Sequence, residues 1–547
     1  MSGQSHLLIV GAGGLFGARL ARLVAERGRM RISLGGRRES NIATLRRELG
    51  ALHPAGGFVF VPIDRDAATP EQLRGFDVVV DCAGPFQGSG TTLIEACIAA
   101  GAHYVDIADG RAWVEDIPPR FDVAARAAGI AVITGASTTP ALTVVAACTD
   151  GWQVIDTIDV AVVPGNRTPK GKSVIAAILS WVGKPVAVFR EGRWQRAAGW
   201  TGQRWVVLDG VGRRRASLAD VPDLDAPPRS FMPRIRSQFD AGMELGLLHR
   251  LIWLSGIAVR LRLTSSATLF AAVGYRLAML LDRCGTDRGG MLVEVTGADA
   301  GGKACSARWS LVASDNAGPY VPVLAAAAVV ELLLAGSVRS GARSAAGVVT
   351  LEAMLAWIGT RDIKAALTTT DRDAPLYRRL MGARFDELPD ATQRLHRGQP
   401  AVIAQGEAIV VGASNKLGGL IARLFRLPTR EGATTVEVVI EARDGREHWT
   451  RWFDGKPMRS VMADGRDGLI EERFGPVTCS MRLEPHSDGL NMVLLAGRVG
   501  PLSIPPPMLP RIRATERVDA QGRPLFDVEI GLPLVGRLVA YRGWLAI

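Results

Sequence analysis

Residues 6–17 read HLLIVGAGGLFG, and this segment predicts how the N-terminal region folds. Residues 6–10 are mostly apolar and have the length of a short buried strand. Residues 18–27 have the composition of a helix. A glycine-rich turn between a strand and a helix is the arrangement that a dinucleotide-binding loop needs, so we expect a Rossmann-type domain here.

The glycines of this turn have different expected roles. Gly11 permits the tight turn, and Gly17 lets the helix pack close to the strand. Gly13 and Gly14 leave backbone N–H groups open to a pyrophosphate, which sits at the positive end of the helix. A glycine-rich turn without a ligand is the alternative interpretation.

The next predicted strand indicates which dinucleotide binds. It spans residues 30–34 and is followed by Gly35, Gly36, Arg37 and Arg38. NAD(H) and FAD sites usually place Asp or Glu here to bind the ribose hydroxyls, and such a carboxylate would repel a 2′-phosphate. A guanidinium can instead clamp that phosphate with paired hydrogen bonds. The sequence therefore favours NADP(H), with the alternative that both arginines only solvate a loop.

Strands and helices continue to alternate along the first 150 residues. Strand-like segments lie at 58–63, 77–82, 103–107 and 130–134, with helical segments at 91–100 and 119–128. This alternation predicts a doubly wound parallel sheet with the ligand over the carboxyl ends of its strands. Asp64 ends the third strand, at a position from which a side chain can contact the adenine.

The sequence around the fourth and fifth strands resembles the saccharopine dehydrogenase-like oxidoreductases. The shared motifs are VDCAGPF at 80–86, EAC at 95–97, GAHYVD at 101–106 and GASTTP at 135–140. VEVTG at 293–297 and GPYVP at 318–322 extend the resemblance to roughly residues 5–360. The resemblance implies that the AGPF segment lies beside the nicotinamide and that Asp106 faces the same cleft.

Together these motifs define the expected site residues. The dinucleotide contacts are expected from Gly11, Ala12, Gly13, Gly14, Leu15, Phe16, Gly17, Arg37, Arg38, Asp64, Ala83, Gly84 and Pro85. None of the five tyrosines has a lysine four residues later, which excludes the usual short-chain dehydrogenase mechanism. Asp106 and Asp109 follow the fifth strand and are the candidates for orienting the substrate, unless they only cap the next segment. No histidine, cysteine or carboxylate spacing indicates a metal site.

Residues 151–360 are expected to form an α+β substrate or dimerisation domain, which by the resemblance would complete the active-site cleft. Within it, residues 241–281 are very apolar but are interrupted by arginines. This pattern indicates either buried helices or helices that lie on a membrane surface with arginines at the headgroups. It also hints at an apolar substrate, with a core or homodimer interface as the alternative.

Residues 361–373 are polar and are interpreted as a linker to a third domain at 374–547. There, apolar and polar residues alternate between turn signals such as Asp454-Gly455 and Asp488-Gly489, which predicts an antiparallel β-rich domain. Three segments, LYRRLMG at 376–382, HWTRWF at 448–453 and YRGWL at 541–545, resemble an uncharacterised bacterial domain of unknown function. We expect a curved sheet that encloses an apolar ligand; a solid core would contradict this.

The composition limits the partners and the compartment. The formal net charge of +11 favours anionic partners, namely a phosphorylated cofactor or an anionic lipid surface. The arginines are scattered rather than gathered in a tail, so nucleic acid is not expected. The six cysteines are far apart and no signal peptide is evident, which fits a cytoplasmic protein, with peripheral membrane contact left open.

These features predict an α/β protein with NADP(H)-dependent oxidoreductase activity. The substrate would carry a carbonyl, an imine or an activated double bond on an apolar, lipid-linked molecule. Two other functions remain open. One is a non-catalytic NADP(H) sensor whose C-terminal domain binds a lipid or a partner, and the other is a reductase of amino-acid imines.

Overall fold

The computed structural model describes residues 4–86, 88–137, 139–169, 172–221, 229, 231–371, 374–397, 401–443 and 445–547. Thr138 of the GASTTP motif and residues 372–373 of the predicted linker lie outside these ranges. Three sheets organise the described residues, and each sheet has its own topology.

The N-terminal sheet is parallel, as predicted. Its strands are β1 (His6–Val10), β2 (Arg31–Gly36), β3 (Val59–Pro62), β4 (Val78–Asp81), β5 (His103–Asp106), β6 (Ala131–Thr134) and β15 (Gly341–Ser344). They lie in the order β15-β6-β5-β4-β1-β2-β3, and each pairing is parallel. The connecting helices are α1 (Leu15–Ala25), α2 (Ala43–Leu52), α3 (Pro70–Leu73), α4 (Thr92–Ala100), α5 (Arg111–Ala127) and α6 (Thr139–Cys148). This is the predicted doubly wound, Rossmann-type arrangement.

The central strands are buried because helices cover both faces of the sheet. Leu7, Leu8 and Ile9 of β1 are fully buried, and so are the three valines of β4. Since both faces are covered, these strands read as continuous apolar runs rather than as an alternating pattern.

The second sheet is mixed and forms an α+β unit. Its strands are β7 (Trp152–Val163), β8 (Pro185–Arg190), β9 (Arg193–Ala198), β10 (Arg204–Leu208), β11 (Gly212–Leu218), β12 (Arg236–Met243), β13 (Gly289–Asp299), β14 (Ala304–Ala313) and β16 (Ile363–Asp371). The main path runs β10-β11-β12-β7-β13-β14-β16, with β8 and β9 attached to β12. Its helices are α7 (Lys172–Trp181), α8 (Gly246–Arg260) and α9 (Ala271–Leu280).

Two segments lie elsewhere than the sequence predicts. The polar stretch interpreted as a linker contains β16, which pairs with β14 from Cys305↔Asp371 to Ala313↔Ile363. β16 is an edge strand whose residues after Ile363 are exposed, so its composition resembles that of a loop. The chain also returns to the first sheet through β15 and through α10 (Val321–Leu334) and α11 (Leu351–Leu355), with α10 packed on α1 and β5.

The C-terminal domain is a closed antiparallel sheet, which confirms the predicted β-rich fold. Its strands are β17 (Ala401–Val411), β18 (Gly432–Arg443), β19 (Arg446–Phe453), β20 (Lys456–Asp464), β21 (Ile470–Phe474), β22 (Val477–His486), β23 (Gly489–Val499), β24 (Leu502–Ser503), β25 (Arg511–Val518), β26 (Pro524–Leu532) and β27 (Gly536–Ala546). The path runs β22-β21-β20-β19-β18-β17-β27-β26-β25-β23, and pairing of β22 with β23 closes the ring. The helices are α12 (Leu376–Met381), α13 (Asp390–His396) and α14 (Lys416–Leu424).

None of the helices in the described ranges combines the length and the apolar character required to cross a membrane.

Candidate functional site

The glycine loop between β1 and α1 is held by close backbone contacts. Gly11 has a φ of +75°, and a Cβ there would fall 2.9 Å from the backbone nitrogen of Ala83. A Cβ at Gly17 would overlap the carbonyl oxygen of Gly11 and lie 2.9 Å from the Cα of Ala12. Both positions therefore require glycine: Gly11 for the turn and for the approach of β4, and Gly17 for the packing of the helix.

The other two glycines of the loop are exposed at its top. Gly14 is the N-cap of α1, so the first amides of this helix have no acceptor within the helix. Gly13 lies against the next loop, because its Cβ would fall 2.8 Å from the carbonyl oxygen of Asn41. The loop is therefore a cradle that side chains would fill, with the amide donors and the positive end of the helix available to a pyrophosphate.

Arg37 and Arg38 directly follow β2 and are both exposed. In the part of the chain that the structure describes, neither takes part in an ion pair, whereas nearby Arg46 is bound to Glu39 at 2.6 Å. Two guanidinium groups without carboxylate partners at the end of β2 fit a 2′-phosphate.

Asp64 lies at the carboxyl end of β3, as expected. Its Oδ1 accepts a hydrogen bond of 3.2 Å from the backbone N–H of Asp66 and so caps a 3-10 turn. The side chain is half-buried, so contact with an adenine remains an expectation beside this capping role.

A buried ion pair, which sequence reasoning missed, positions the segment after β4. Arg65 lies next to Asp64 and is bound to Asp81 at 2.9 Å, with Asp81 fully buried. Arg65 also donates to the carbonyl oxygen of Ala83 (3.3 Å) and to Ser89 Oγ (2.6 Å). Burial raises the pKa of Asp81 to about 6, and the Arg65 guanidinium opposes this rise.

This ion pair fixes the segment that the resemblance places beside the nicotinamide. Ala83 also donates its backbone N–H to Asp81 Oδ1 at 2.9 Å. Gly84 and Pro85 are left exposed at the carboxyl edge of the sheet, as a contact with the dinucleotide requires. The signal for Asp81 in the sequence was a single carboxylate that ends an otherwise apolar strand.

The expectation that Asp106 faces the cleft is wrong. Asp106 is fully buried. Its Oδ1 accepts hydrogen bonds from the backbone N–H groups of Ala108 (3.0 Å) and Gly135 (2.8 Å) and from Thr134 Oγ1 (3.0 Å). Its Oδ2 accepts from Trp113 Nε1 at 2.9 Å. Burial raises the pKa of this carboxyl, while these donors lower it, and the side chain ties the ends of β5 and β6 together.

Asp109 differs from Asp106 in its exposure. It lies in the loop between β5 and α5, and its side chain is exposed. The position at the carboxyl edge of the sheet suits a group that orients a substrate, so its role stays an expectation.

An apolar cavity of about 750 Å³ lies between the glycine loop and the second sheet. Leu15, Phe16 and Ser137 line it from the first domain, and α7, α8, α9, β12 and β13 supply most of the remaining wall. Its lining includes Ile175, Ile178, Leu179, Phe239, Met243, Leu248, Leu251, Ile252, Leu254, Phe270, Val273, Leu277, Met291, Leu311 and Val321.

The few polar side chains along this cavity are mostly engaged elsewhere. Glu244 accepts from the backbone N–H groups of Asn166 (2.7 Å) and Thr286 (2.9 Å) and pairs with Arg214 at 3.1 Å. Asn166 donates to the carbonyl oxygens of Leu281 and Cys284. Ser137 Oγ is 3.3 Å from the carbonyl oxygen of Ala108, so its hydroxyl lies at the end nearest the first sheet.

Comparison with known proteins identifies the two end domains. Residues 7–133 match the family model described as the saccharopine dehydrogenase NADP binding domain. Residues 388–545 match a model described as a domain of unknown function, DUF4166. Both matches confirm the resemblances seen in the motifs. The N-terminal domain is therefore an NADP-binding domain of the saccharopine dehydrogenase type, and NADP(H) is its cofactor.

Two of the solved structures that the comparison matches to this chain are dehydrogenases. Apo histidine-tagged saccharopine dehydrogenase (L-Glu forming) from Saccharomyces cerevisiae is 11% identical, with a TM-score of 0.47, over 66% of this chain and 100% of that chain. A mutant meso-dapdh from Clostridium tetani, solved with DAP, is 14% identical, with a TM-score of 0.33, over 64% of this chain and 95% of that chain. The search of curated proteins finds no match.

Proposed function

We propose that the protein is an NADP(H)-dependent oxidoreductase that reduces a carbonyl, imine or activated double bond of an apolar, lipid-linked substrate. The observation that carries the proposal is the apolar cavity of about 750 Å³, which is lined by Leu15 and Phe16 of the dinucleotide loop. The same cavity thus borders the cofactor site and is walled by aliphatic side chains.

The cavity has the size and chemistry of a binding site for an aliphatic chain. Ligand sites in proteins commonly measure about 300–1,000 Å³ and are mainly apolar, with a few polar groups that fix orientation. Each buried CH2 group of a ligand contributes about 0.8 kcal/mol. A long chain in this cavity would therefore provide enough binding free energy to hold a reactive group against the cofactor.

The residues of the chain would have four tasks in this reaction. When bound, NADPH supplies the hydride that reduces the substrate. The glycine loop and Arg37 hold the phosphates, and the Arg65–Asp81 pair fixes the segment expected beside the nicotinamide. Ser137, on the cavity wall, and the exposed Asp109 are the candidates for orienting the polar group of the substrate. The apolar wall excludes water from the reacting atoms.

A reductase of amino-acid imines is less well supported. Such an enzyme needs arginine or lysine side chains that converge on the substrate carboxylates. The described residues that line the cavity include neither, and their only carboxylate, Glu244, is already paired with Arg214.

A chain-length series tests the proposal. We suggest measuring NADPH oxidation with 2-alkenals from butenal to hexadecenal, which carry both a carbonyl and an activated double bond. If the cavity binds the chain, kcat/KM should rise by up to about fourfold per CH2 group until the cavity is filled. A flat response would refute the apolar substrate. NADPH binding without turnover of any alkenal or any lipid-extract fraction would favour the non-catalytic sensor.

A cavity-filling variant and a matched control sharpen this test. Gly274 of α9 lines the cavity and has no heavy atom within 4 Å of the position of a Cβ. Gly274→Phe should therefore abolish the dependence on chain length while NADPH affinity stays unchanged. Gly419 of α14 also has open space around its Cβ position but belongs to the C-terminal domain. Gly419→Phe should behave like the unaltered protein; equal losses in both variants would contradict the assignment of the cavity.

The cofactor and the cysteines support a cytoplasmic location for this activity. All six cysteines are free, and five of them are buried. Thiols persist in this form in reducing compartments. Fractionation of the native host cells, with the vesicle assay described below, would test this location.

A further inference from the structure

Helices α8 and α9 and the turn between them carry a large exposed apolar surface. We call the side chains Leu254, Leu261, Leu263, Leu269, Val273 and Leu280 the apolar face. Leu263 is 77% exposed and Leu280 is 78% exposed. Monomeric soluble proteins rarely expose contiguous apolar patches of this kind unless the patch is a contact site.

The same two helices form the rim of the apolar cavity. Leu251, Leu254, Phe270 and Val273 line the cavity and are also exposed on the outside of the molecule. A residue that does both lies where the cavity meets the surface, so an opening lies between α8 and α9. A ligand that leaves or enters here passes directly across the apolar face.

Positive charge surrounds the apolar face. Residues 246–283 contain five arginines and one acidic residue, Asp282. Arg250, Arg260, Arg262, Arg276 and Arg283 are all exposed, and none of them forms an ion pair within the described ranges. Each arginine near an anionic lipid surface adds electrostatic attraction to it.

We propose that the apolar face docks on an anionic lipid bilayer and, in a step that rests on the proposed function, that the cavity takes its substrate directly from the membrane. The charge distribution favours a bilayer over a second copy of the chain. A two-fold contact would place the same arginines of both copies around one interface with a single aspartate each, whereas anionic headgroups neutralise them. The leucines would enter the boundary of the acyl chains, and the arginines would remain at the headgroups.

Vesicle sedimentation with the full chain tests the proposal. The vesicles contain phosphatidylcholine alone or equal parts of phosphatidylcholine and phosphatidylglycerol. We expect binding to the anionic vesicles to exceed binding to phosphatidylcholine by at least about tenfold. It should weaken between ~0.1 M and ~1 M salt, because the Debye length falls from about 10 to about 3 Å. Equal binding to both vesicles would overturn the role of the arginines.

A double leucine variant and a matched control locate the contact. Leu263 and Leu280 are exposed and do not line the cavity. Leu263→Ser with Leu280→Ser should lower the vesicle partition coefficient by about 100-fold, since each buried leucine is worth about one factor of ten. Leu424 and Leu502 of the C-terminal domain are 77% and 73% exposed. Their double serine variant should bind like the unaltered protein; an equal loss would overturn the assignment.

The oligomeric state decides whether the apolar face contacts a bilayer or a second copy of the chain. If sedimentation equilibrium shows a dimer that the Leu263→Ser/Leu280→Ser variant dissociates, and vesicles bind neither form, the apolar face is an interface between copies and the proposal fails. Unchanged NADPH affinity of the variant serves as the check on folding. Vesicle binding is measured without turnover, so this proposal and the proposed function can fail separately.

Discussion

Two enclosures of this molecule differ in size and in chemistry. The cavity between the first two sheets measures about 750 Å³ and is bordered mainly by aliphatic side chains. The interior of the closed C-terminal sheet contains a cavity of about 80 Å³, with Arg451, Glu472 and Glu516 among its lining residues. An apolar site of about 150 Å³ holds a benzene-sized ligand, so the smaller space does not accept an acyl chain.

The charged groups inside the closed sheet are paired with one another. Arg451 lies 3.4 Å from Glu472, and His396 is bound to Glu516 at 2.8 Å and stacks on Tyr377. Burial raises the pKa of Glu447, whose carboxylate accepts from Trp449 Nε1. Side chains thus fill the inside of the ring, and the expectation that it encloses an apolar ligand loses its support.

The difference comes from how each wall is built. Strands of the closed sheet direct alternate side chains inward from all sides, so bulky residues such as Trp449 and Phe453 occupy its interior. Helices α8 and α9 cover one face of the second sheet only partly, and a space remains behind them. The closed sheet therefore leaves little internal space, whereas the partly covered sheet leaves a space that can hold a ligand.

The largest expected effect is the loss of the buried ion pair in the closed sheet. Glu472→Leu leaves the Arg451 guanidinium, which is only 13% exposed, without its carboxylate. We expect the free energy of unfolding of this domain to fall by about 3 kcal/mol or more, measured by hydrogen exchange of the β19 and β21 amides. The double variant Arg451→Met/Glu472→Leu should recover most of it. If Glu472→Leu also lowered NADPH affinity, the closed sheet and the cofactor side would be coupled, which would contradict the view that the two enclosures are independent.

The second effect concerns the cofactor site, which borders the larger of the two enclosures. Arg37→Asp should weaken NADPH binding by about 10- to 100-fold, the range expected when a charge-assisted hydrogen bond to a phosphate is lost. NADH binding should change little, as measured by titration of nucleotide fluorescence. Arg47→Asp is the matched control, since Arg47 is an exposed arginine on α2 with the same charge change. Equal weakening of both nucleotides would show that Arg37 does not contact the 2′-phosphate.

A third effect is an acid sensitivity of the cavity wall. His249 of α8 is fully buried, with Nε2 2.9 Å from Ser217 Oγ. Burial, helped by Arg215, lowers its pKa from 6.5 to about 4. Because the unfolded chain binds the proton first, stability from this group is present above pH ~6.5 and is lost as the pH falls towards ~4. The loss at pH ~5 is about 2 kcal/mol.

His249→Gln keeps a hydrogen-bonding partner for Ser217. It should remove this dependence of the free energy of unfolding on pH, as measured by urea unfolding of the second domain. His486→Gln, at an exposed position of the closed sheet, is the matched control. If the His249→Gln variant unfolds with the same pH dependence as the unaltered protein, another group governs the acid response of the wall.

Local signals explain what could be predicted. The loop from Gly11 to Gly17 requires glycine because its contacts are made within a few residues or at the neighbouring strand. Arg37 and Arg38 could be placed because they directly follow an apolar strand. The same kind of argument failed for Asp106, because a carboxylate at the end of a strand can point to the cleft or, as here, into four donors from three other segments. It also failed for β16, whose exposed edge reads like a loop.

The sequence by itself determined the dinucleotide-binding domain, the preference for NADP(H) and the β-rich C-terminal domain. Those features depend on turn geometry, apolar periodicity and the charge of adjacent residues, which are all local. Only the tertiary structure decided that Arg65 holds Asp81 and that Leu15 shares a cavity with Leu251. These contacts join residues far apart in the chain, and they arise from the packing of whole helices and sheets rather than from any local preference.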